Sequence, residues 1–192
     1  MRYFEINTLG NDQDKSLAFV DEGIRDLPDD GRLAAGEAVG ADFPADARIY
    51  LQLESPGLKL PSILGNTAGY LIVAAPVKQV LERFDLRSCE LFPFSLFDHK
   101  QRCFSRDYWV VNPLGAVDCL DRSGSDIEYL EGDPSQIVAV DRFVLASKKL
   151  TGAPDLFRVP ESPYHYFVSE RVAAAWHGQG FTNLYLIEID VA

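Results

Sequence analysis

The sequence predicts an α+β domain made mostly of β-strands. Two stretches carry this prediction, because residues 70–94 (YLIVAAPVKQVLERFDLRSCELFPF) and 166–188 (YFVSERVAAAWHGQGFTNLYLIE) repeat one order of features. Each begins with a tyrosine and an apolar run, continues through a helical pattern and a break, and ends in a second apolar run. This order is typical of a strand–helix–strand unit. We therefore expect two such units, at about 70–97 and 166–189, around one core.

The first unit should begin with a buried strand at residues 70–73. A helix then begins at residue 74 or 75, and Pro76 is tolerated because the first helical turn has no amide partner to lose. Four apolar residues recur at helical spacing and predict one buried face: Val77, Val80, Leu81 and Phe84. Residues 90–97 (ELFPFSLF) predict the returning strand, with Pro93 at a sheet edge or a bulge.

The second unit should begin with a short strand at residues 166–168. Ser169 is a favourable N-cap for a helix from Glu170 to about His177. The helix is expected to end at two glycines that accept positive φ, Gly178 and Gly180. Residues 184–189 (LYLIEI) predict the returning strand. If the two strands of a unit are parallel neighbours, the crossover between them should be right-handed.

The rest of the chain is read from shorter patterns. Alternating or β-branched runs predict further strands at 2–6, 48–53, 108–111, 137–145 and 155–159. Glycine, proline and aspartate mark turns at 26–31, 121–126 and 133–135. Residues 7–46 are polar and acidic and should contain the least regular structure. We expect an acidic N-terminal segment at 1–45, packed on or preceding an α+β domain at 46–192.

Composition restricts the class of protein. Hydrophobic residues make up 47% of the chain and charged residues 24%, which suits a domain with a buried core. No apolar run approaches the roughly 20 residues that cross a bilayer, and the start of the chain lacks a signal-peptide pattern. Three cysteines, Cys89, Cys103 and Cys119, show no metal-ligand spacing and are expected to be buried thiols. We expect a cytoplasmic protein that does not bind membranes.

The charge of the chain is strongly negative and unevenly placed. The net charge is −11, and residues 1–46 hold eleven acids against four bases, a net of −7. Such a surface repels phosphate backbones and anionic lipid, so direct binding of nucleic acid is disfavoured. It would instead speed encounter with a basic partner, although acidic residues also serve simply to keep a protein soluble.

Few residues suggest catalysis. No histidine has a second ligand at the spacing of a zinc site, and no nucleotide-binding fingerprint is present, so we expect neither a metal nor a cofactor. If the protein is an enzyme, Asp98, His99 and the segment Asp118–Arg122 are the first candidates for its site. Carboxylates beside Cys119 should raise the pKa of its thiol, which opposes a nucleophilic role. Ser169 lacks the flanking glycines of a nucleophile elbow.

The motifs in their order resemble the Imm11 family of bacterial immunity proteins. The resemblance covers about residues 45–192 and depends on these segments: 71–84, 90–100, 108–121, 133–135, 140–150, 156–159 and 166–188. It implies a protein that is not an enzyme and that acts as the antidote of a polymorphic toxin in competition between neighbouring bacterial cells. The implied mechanism is stoichiometric binding of a cognate toxin domain, with a nuclease as the expected target.

The charge pattern supplies a hypothesis for the binding surface. Nuclease domains are basic because they hold phosphate, so an acidic inhibitor would be attracted to them. The candidate toxin-binding residues are Asp21, Glu22, Asp26, Asp29 and Asp30. Two alternatives stay open at this point: an enzyme of unrecognised type with the site named above, and a general protein-interaction module.

Overall fold

The computed structural model describes all of residues 1–192, with 39% of the residues in strands and 14% in helices. This confirms the predicted mostly-β α+β class. The strands are β1 (Tyr3–Ile6), β2 (Phe19–Val20), β3 (Arg48–Tyr50), β4 (Gly65–Asn66), β5 (Leu71–Ala74), β6 (Cys89–Phe97), β7 (Cys103–Pro113), β8 (Asp126–Leu130), β9 (Asp133–Arg142), β10 (Val144–Leu145), β11 (Leu156–Val159), β12 (Ser162–Ser169) and β13 (Leu186–Val191). The helices are α1 (Gly31–Ala35), α2 (Ala75–Leu81) and α3 (Glu170–His177), with 3-10 turns at Gly40–Asp42 and Ser147–Leu150. None of the helices has the length and apolar character needed to cross a membrane.

Both predicted strand–helix–strand units are present, and each belongs to its own sheet. The first unit, β5–α2–β6, lies in a four-stranded sheet with the order β3-β6-β7-β5. The second unit, β12–α3–β13, lies in a five-stranded sheet with the order β10-β13-β1-β12-β11. The two strands of a unit are not neighbours, because one antiparallel strand lies between them: β7 in the first sheet and β1 in the second. The prediction of a right-handed crossover applied only to strands that are parallel neighbours, so it does not apply to these units.

The likeness of the two units extends to the strands around them. In each sheet the returning strand also pairs in parallel with a short strand, β6 with β3 and β13 with β10. The junctions of strand and helix have nearly the same backbone, with φ −70° and ψ 156° at Ala74 and φ −68° and ψ 157° at Ser169. The structure thus contains one four-strand arrangement twice, with helices α2 and α3 packed against each other.

The core is divided by the two sheets into three hydrophobic clusters. The central cluster lies between the sheets and includes Leu71, Val77, Leu81, Val172 and Trp176. A second cluster covers the other face of the four-stranded sheet, because residues along each strand point alternately to opposite faces. Seven of its buried residues come from the predicted irregular segment: Ala18, Val20, Ile24, Leu27, Leu33, Ala34 and Val39. A third cluster, which includes Phe143, Phe157 and Phe167, covers the outer face of the five-stranded sheet.

Strands β8 and β9 form a separate hairpin that pairs with neither sheet. Val140 is buried and Ile127 and Ile137 are half-buried against the third cluster, which fixes the hairpin to the domain. Tyr129, Leu130 and Val138 are 40%, 44% and 56% exposed, so much of the hairpin faces solvent.

Several local predictions need correction. Ser169 occupies the N-cap position, but its hydroxyl makes no cap bond and instead donates to Oδ1 of Asp155 at 2.5 Å. Gly180 has positive φ, whereas Gly178 has φ −70° and continues the right-handed turn. Residues 133–135 begin β9 rather than forming a turn. Cys119 is buried and Cys89 is half-buried, but Cys103 is exposed because it begins the solvent-facing end of β7.

Candidate binding surface

The five candidate acids lie on one exposed loop, residues 21–30, which we call the acidic loop. Ile24 and Leu27 are only 4% and 8% exposed and attach this loop to the cluster beneath the four-stranded sheet. With the apolar side chains turned inward, the carboxylates of all five acids are exposed. None of the five forms an ion pair with a lysine, arginine or histidine. The structure therefore places these carboxylates on one loop, exposed and without ion-pair partners in the chain.

The acidic loop is held at its start, middle and end. The hydroxyl of Thr67 donates to the carbonyl of Asp21 at 3.2 Å, and the amide of Arg25 donates to the carbonyl of Arg48 at 3.2 Å. The hydroxyl of the buried Tyr70 donates to the carbonyl of Asp30 at 3.1 Å. Asp26 has a φ of +67°, an uncommon conformation that aspartate tolerates better than most residues. These bonds fix the backbone while leaving the carboxylates free.

A buried arginine secures helix α1, which directly follows the acidic loop. Arg158 is fully buried, and its guanidinium donates to the carbonyls of Leu33, Ala34 and Pro163. It also donates to Oδ1 of Asn112 at 3.2 Å and to the hydroxyl of Tyr166 at 2.8 Å. No carboxylate contacts it, and burial lowers its pKa from the ordinary value. Carbonyls at the C-terminal end of α1 thus help to compensate the buried positive charge.

Glu90 belongs to the same hydrogen-bond network as Arg158, through Asn112, and binds the turn at residues 39–40. Glu90 accepts from the amides of Val39 and Gly40 at 3.0 Å and 2.8 Å, and from the Asn112 side chain at 3.1 Å. Gly36 has φ +73°, and a Cβ there would lie 2.8 Å from Cδ of Arg158. Neither Arg158 nor Glu90 was singled out by the sequence, because each lies inside a strand pattern and its bonds to residues 33–40 join positions 50 or more apart in the chain.

A cleft of about 330 Å³ lies beside the acidic loop. Its lining includes the carboxylates of Asp21, Glu22 and Glu54. The guanidinium of Arg25 lies over the ring of Tyr50, 4.5 Å from its centroid. Leu53, also on the cleft, is 80% exposed. The surface therefore combines unpaired negative charge with an exposed aliphatic side chain, a combination that the sequence pattern did not predict.

Asp98 and His99 border the same cleft, and both are engaged in structural bonds. Asp98 accepts from the amides of Lys100 and Arg102, each at 2.9 Å, and from the Arg102 guanidinium at 2.7 Å. The backbone and side-chain bonds from Arg102 lower the pKa of Asp98 to about 2. Nε2 of His99 lies 3.0 Å from the carbonyls of Gln52 and Ser55, so this nitrogen carries a proton. Asp98 fixes the turn between β6 and β7, and His99 fixes the loop at 52–55.

The segment Asp118–Arg122 lies elsewhere in the molecule, against the third cluster. Burial raises the pKa of the Cys119 thiol to about 12, with Glu161 and Asp118 adding to the effect. Asp118 pairs with Lys149 at 2.9 Å, and Asp121 accepts from the amide and hydroxyl of Ser123. The bonding partners of this segment include none of those of Asp98 and His99. The structure does not bring the two candidate catalytic regions together.

The structure describes a mainly β protein with an exposed acidic loop. The sequence model of the immunity protein family (Imm11) matches residues 3–191. The chain therefore belongs to the Imm11 immunity protein family, which confirms the resemblance. The match also includes residues 3–45, where the resemblance had no matching segment. No curated protein matches the chain.

Proposed function

We propose that this immunity protein binds a basic toxin domain, a nuclease, and neutralises it by forming a stoichiometric complex in the cytoplasm. In this proposal it protects its cell during competition between bacteria. The observation that carries the proposal is the acidic loop of a member of an immunity protein family: five exposed carboxylates without ion-pair partners.

Unpaired carboxylates favour association with a cationic protein in two ways. Their long-range field raises the rate of encounter, and the effect falls as salt screens it. At short range they accept hydrogen bonds from arginine and lysine without first breaking an internal ion pair. The acidic loop keeps this advantage because its fixed backbone limits the entropy lost on binding.

The nuclease assignment follows from the chemistry of phosphate binding. A domain that cleaves nucleic acid needs a cationic surface to hold the phosphate backbone. A rigid row of carboxylates can occupy that surface and exclude the substrate. The same net charge of −11 disfavours direct binding of nucleic acid by the immunity protein itself.

Short-range affinity needs more than charge, because exposed ion pairs contribute little. Leu53, 80% exposed beside Asp21, Glu22 and Glu54, is an aliphatic side chain that a partner can cover. Apolar contacts surrounded by polar groups are typical of protein interfaces. We therefore include the cleft at Leu53 with the acidic loop in the proposed contact surface.

Charge-neutral variants of the acidic loop test this proposal. Changing Asp21, Asp26, Asp29 and Asp30 to Asn and Glu22 to Gln is expected to weaken binding of the neighbouring gene's toxin domain at least tenfold and to flatten its salt dependence. A matched control removes five acids from the β8–β9 hairpin instead: Asp126, Glu128, Glu131, Asp133 and Asp141. Equal losses in the two variants would mean that net charge alone matters and would remove the acidic loop from the interface.

A further inference from the structure

Two further clefts adjoin each other along the N-terminal part of the chain, and we call the two together the groove. One has a volume of about 220 Å³ and the other about 530 Å³, and both are lined by Leu9 and Thr67. The groove therefore runs from Gln52 and Ser55 at one end, past Leu9 and Thr67, to residues 164–165 and Ile187 at the other. Because the two clefts share only Leu9 and Thr67, an occupant of both must be elongated, as a chain in an extended conformation is.

Apolar side chains border this groove although they face solvent. Leu9, Tyr164 and Ile187 are 39%, 57% and 51% exposed. Covering such surface is favourable by roughly 25 cal/mol per Å² of apolar area removed from water. Exposed apolar side chains grouped around a concave surface are typical of a binding site, whereas isolated ones are common on any protein.

The charged groups of the groove favour a cationic occupant. Asp12 is exposed, and hydrogen bonds from Ser16 lower the pKa of Asp14, which keeps that group ionised. Oε1 of Glu5 lies 2.5 Å from Nδ1 of His165, within hydrogen-bond distance. Nζ of Lys15 donates to the backbone carbonyl of Asp12 at 2.7 Å. Oδ1 of Asp12 accepts only from the neutral side chain of Gln13, at 3.1 Å, so the Asp12 charge has no ion-pair partner. A second copy of this chain would bring a net charge of −11 against these acids, so the charge opposes self-association here.

The groove is continuous with the acidic loop. Thr67, which lines both clefts, donates from its hydroxyl to the carbonyl of Asp21 at 3.2 Å. The loop at 52–55 lies between the groove and the cleft beside the acidic loop. Gln52 and Ser55 line the groove, and their carbonyls contact Nε2 of His99, which lines that cleft. A partner seated on the acidic loop therefore reaches the groove without crossing the domain.

We propose that the groove binds an extended segment of the toxin domain that carries basic and apolar side chains. This inference rests on the proposed function. The basic side chains pair with Asp12 and Asp14, and the apolar ones cover Leu9, Tyr164 and Ile187. Because apolar contacts at the centre of an interface mainly set the dissociation rate, the groove slows release of the toxin, while the acidic loop speeds its encounter.

A pair of double variants tests the groove against a matched surface. Tyr164→Ala with Ile187→Thr is expected to weaken toxin binding at least tenfold, mostly through faster dissociation. Tyr129→Ala with Val138→Thr removes side chains of similar exposure from the hairpin, none of which lines the groove, and is expected to change affinity less than twofold. Urea midpoints equal to that of the parent chain show that both variants are folded.

The outcomes separate this inference from the proposed function. If the parent chain does not bind the toxin domain, the proposed function fails. If it binds and the groove variant binds as tightly, only the groove is excluded. Overlapping synthetic peptides of the toxin domain add a second measurement: a basic peptide is expected to compete with the intact domain for the parent chain. Competition by none of the peptides would overturn the extended-segment assignment.

Discussion

Arg158 connects the two sheets to the segment that carries the acidic loop. Its guanidinium reaches from β11 to the last carbonyls of α1, to Asn112 on β7 and to Tyr166 on β12. The ring of Tyr166 also lies under the guanidinium carbon, 4.1 Å from the centroid. A single side chain therefore donates to buried oxygens of α1, β7 and β12.

Replacement of Arg158 should be strongly destabilising. Arg158→Ala leaves the carbonyl of Ala34 and Oδ1 of Asn112 without donors and opens a cavity, so we expect the free energy of unfolding to fall by roughly 3 kcal/mol or more. Arg142→Ala is the control, because Arg142 and Asp126 form an exposed ion pair at 3.0 Å and should contribute less than about 1 kcal/mol. Urea denaturation measures both, and equal effects would contradict the role given to Arg158.

The cysteines should differ sharply in reactivity. Burial raises the pKa of Cys89 and of Cys119 to about 12, so at pH 8 very little of either thiol is ionised. Cys103 is exposed and should react first with iodoacetamide. Mass spectrometry of the labelled folded chain, compared with chain labelled in urea, measures this order. Rapid labelling of Cys119 in the folded chain would contradict its buried position and restore it as a candidate nucleophile.

Sequence patterns locate apolar faces better than they locate single polar residues of the core. Val77, Val80 and Leu81 are buried as their helical spacing predicts. Arg158 could not be identified in the same way, because arginine in LFRV fits an ordinary strand with one exposed position. Its burial depends on acceptors from α1, β7 and β12, which only the tertiary fold brings together.

At the scale of elements, the turn between β6 and β7 depends on one carboxylate. Asp98 bonds the amides of Lys100 and Arg102 and the side chain of Arg102 across this turn. These bonds hold the pKa of Asp98 at about 2, below the ordinary 3.8. A lowered pKa means that the ionised group stabilises the fold above its ordinary pKa and that this contribution is lost as the pH falls through about 2.

This linkage predicts how Asp98→Asn behaves with pH. The variant should have a lower urea midpoint than the parent chain at pH 7, because the amide cannot replace the charged bond to Arg102. The difference should shrink between about pH 4 and pH 2, as the parent carboxyl becomes protonated. Midpoints measured over this range check the prediction, and a difference that stays constant down to pH 2 would contradict it.

Local patterns predicted the strand–helix–strand units but not the strands placed between their members. β1 lies between β12 and β13, partners more than 150 residues away in sequence, and no local pattern specifies such a pairing. The β8 strand was missed for another reason. Four of its five residues are exposed, so the alternation that normally marks a half-buried strand is weak.

At the scale of the whole molecule, the two sheets differ in whether a turn joins one antiparallel pair of strands. In the four-stranded sheet, β6 and β7 are joined by a turn at residues 98–102. In the five-stranded sheet the corresponding pair is β13 and β1, where Tyr3 faces Ile189. The first and last residues of this chain therefore lie where the other sheet has a turn.

A circular permutant tests this equivalence. Joining residue 192 to residue 1 through a short glycine-rich linker, and opening the chain between Glu131 and Gly132 at the exposed end of the hairpin, should give a protein that unfolds cooperatively. Opening the chain between Tyr108 and Trp109 instead interrupts β7, one of the two inner strands of the four-stranded sheet, and should prevent folding. Urea denaturation of both permutants provides the comparison, and failure of the first permutant to fold would contradict the equivalence of the two strand pairs.

The division of the chain at residue 45 stays a prediction. The structure places β1 in the five-stranded sheet and seven buried residues of the N-terminal segment in the cluster on the four-stranded sheet. These contacts lead us to propose that residues 1–45 fold together with residues 46–192. The acidic loop would then be a fixed part of the domain surface rather than a tail that becomes ordered on binding.

The central claim, neutralisation by stoichiometric binding, is tested most directly by titration. The activity of the proposed toxin partner on nucleic acid is measured as the immunity protein is added. Stoichiometric inhibition predicts a linear fall in activity that reaches zero at one molar equivalent. Full toxin activity in the presence of excess folded immunity protein would contradict it.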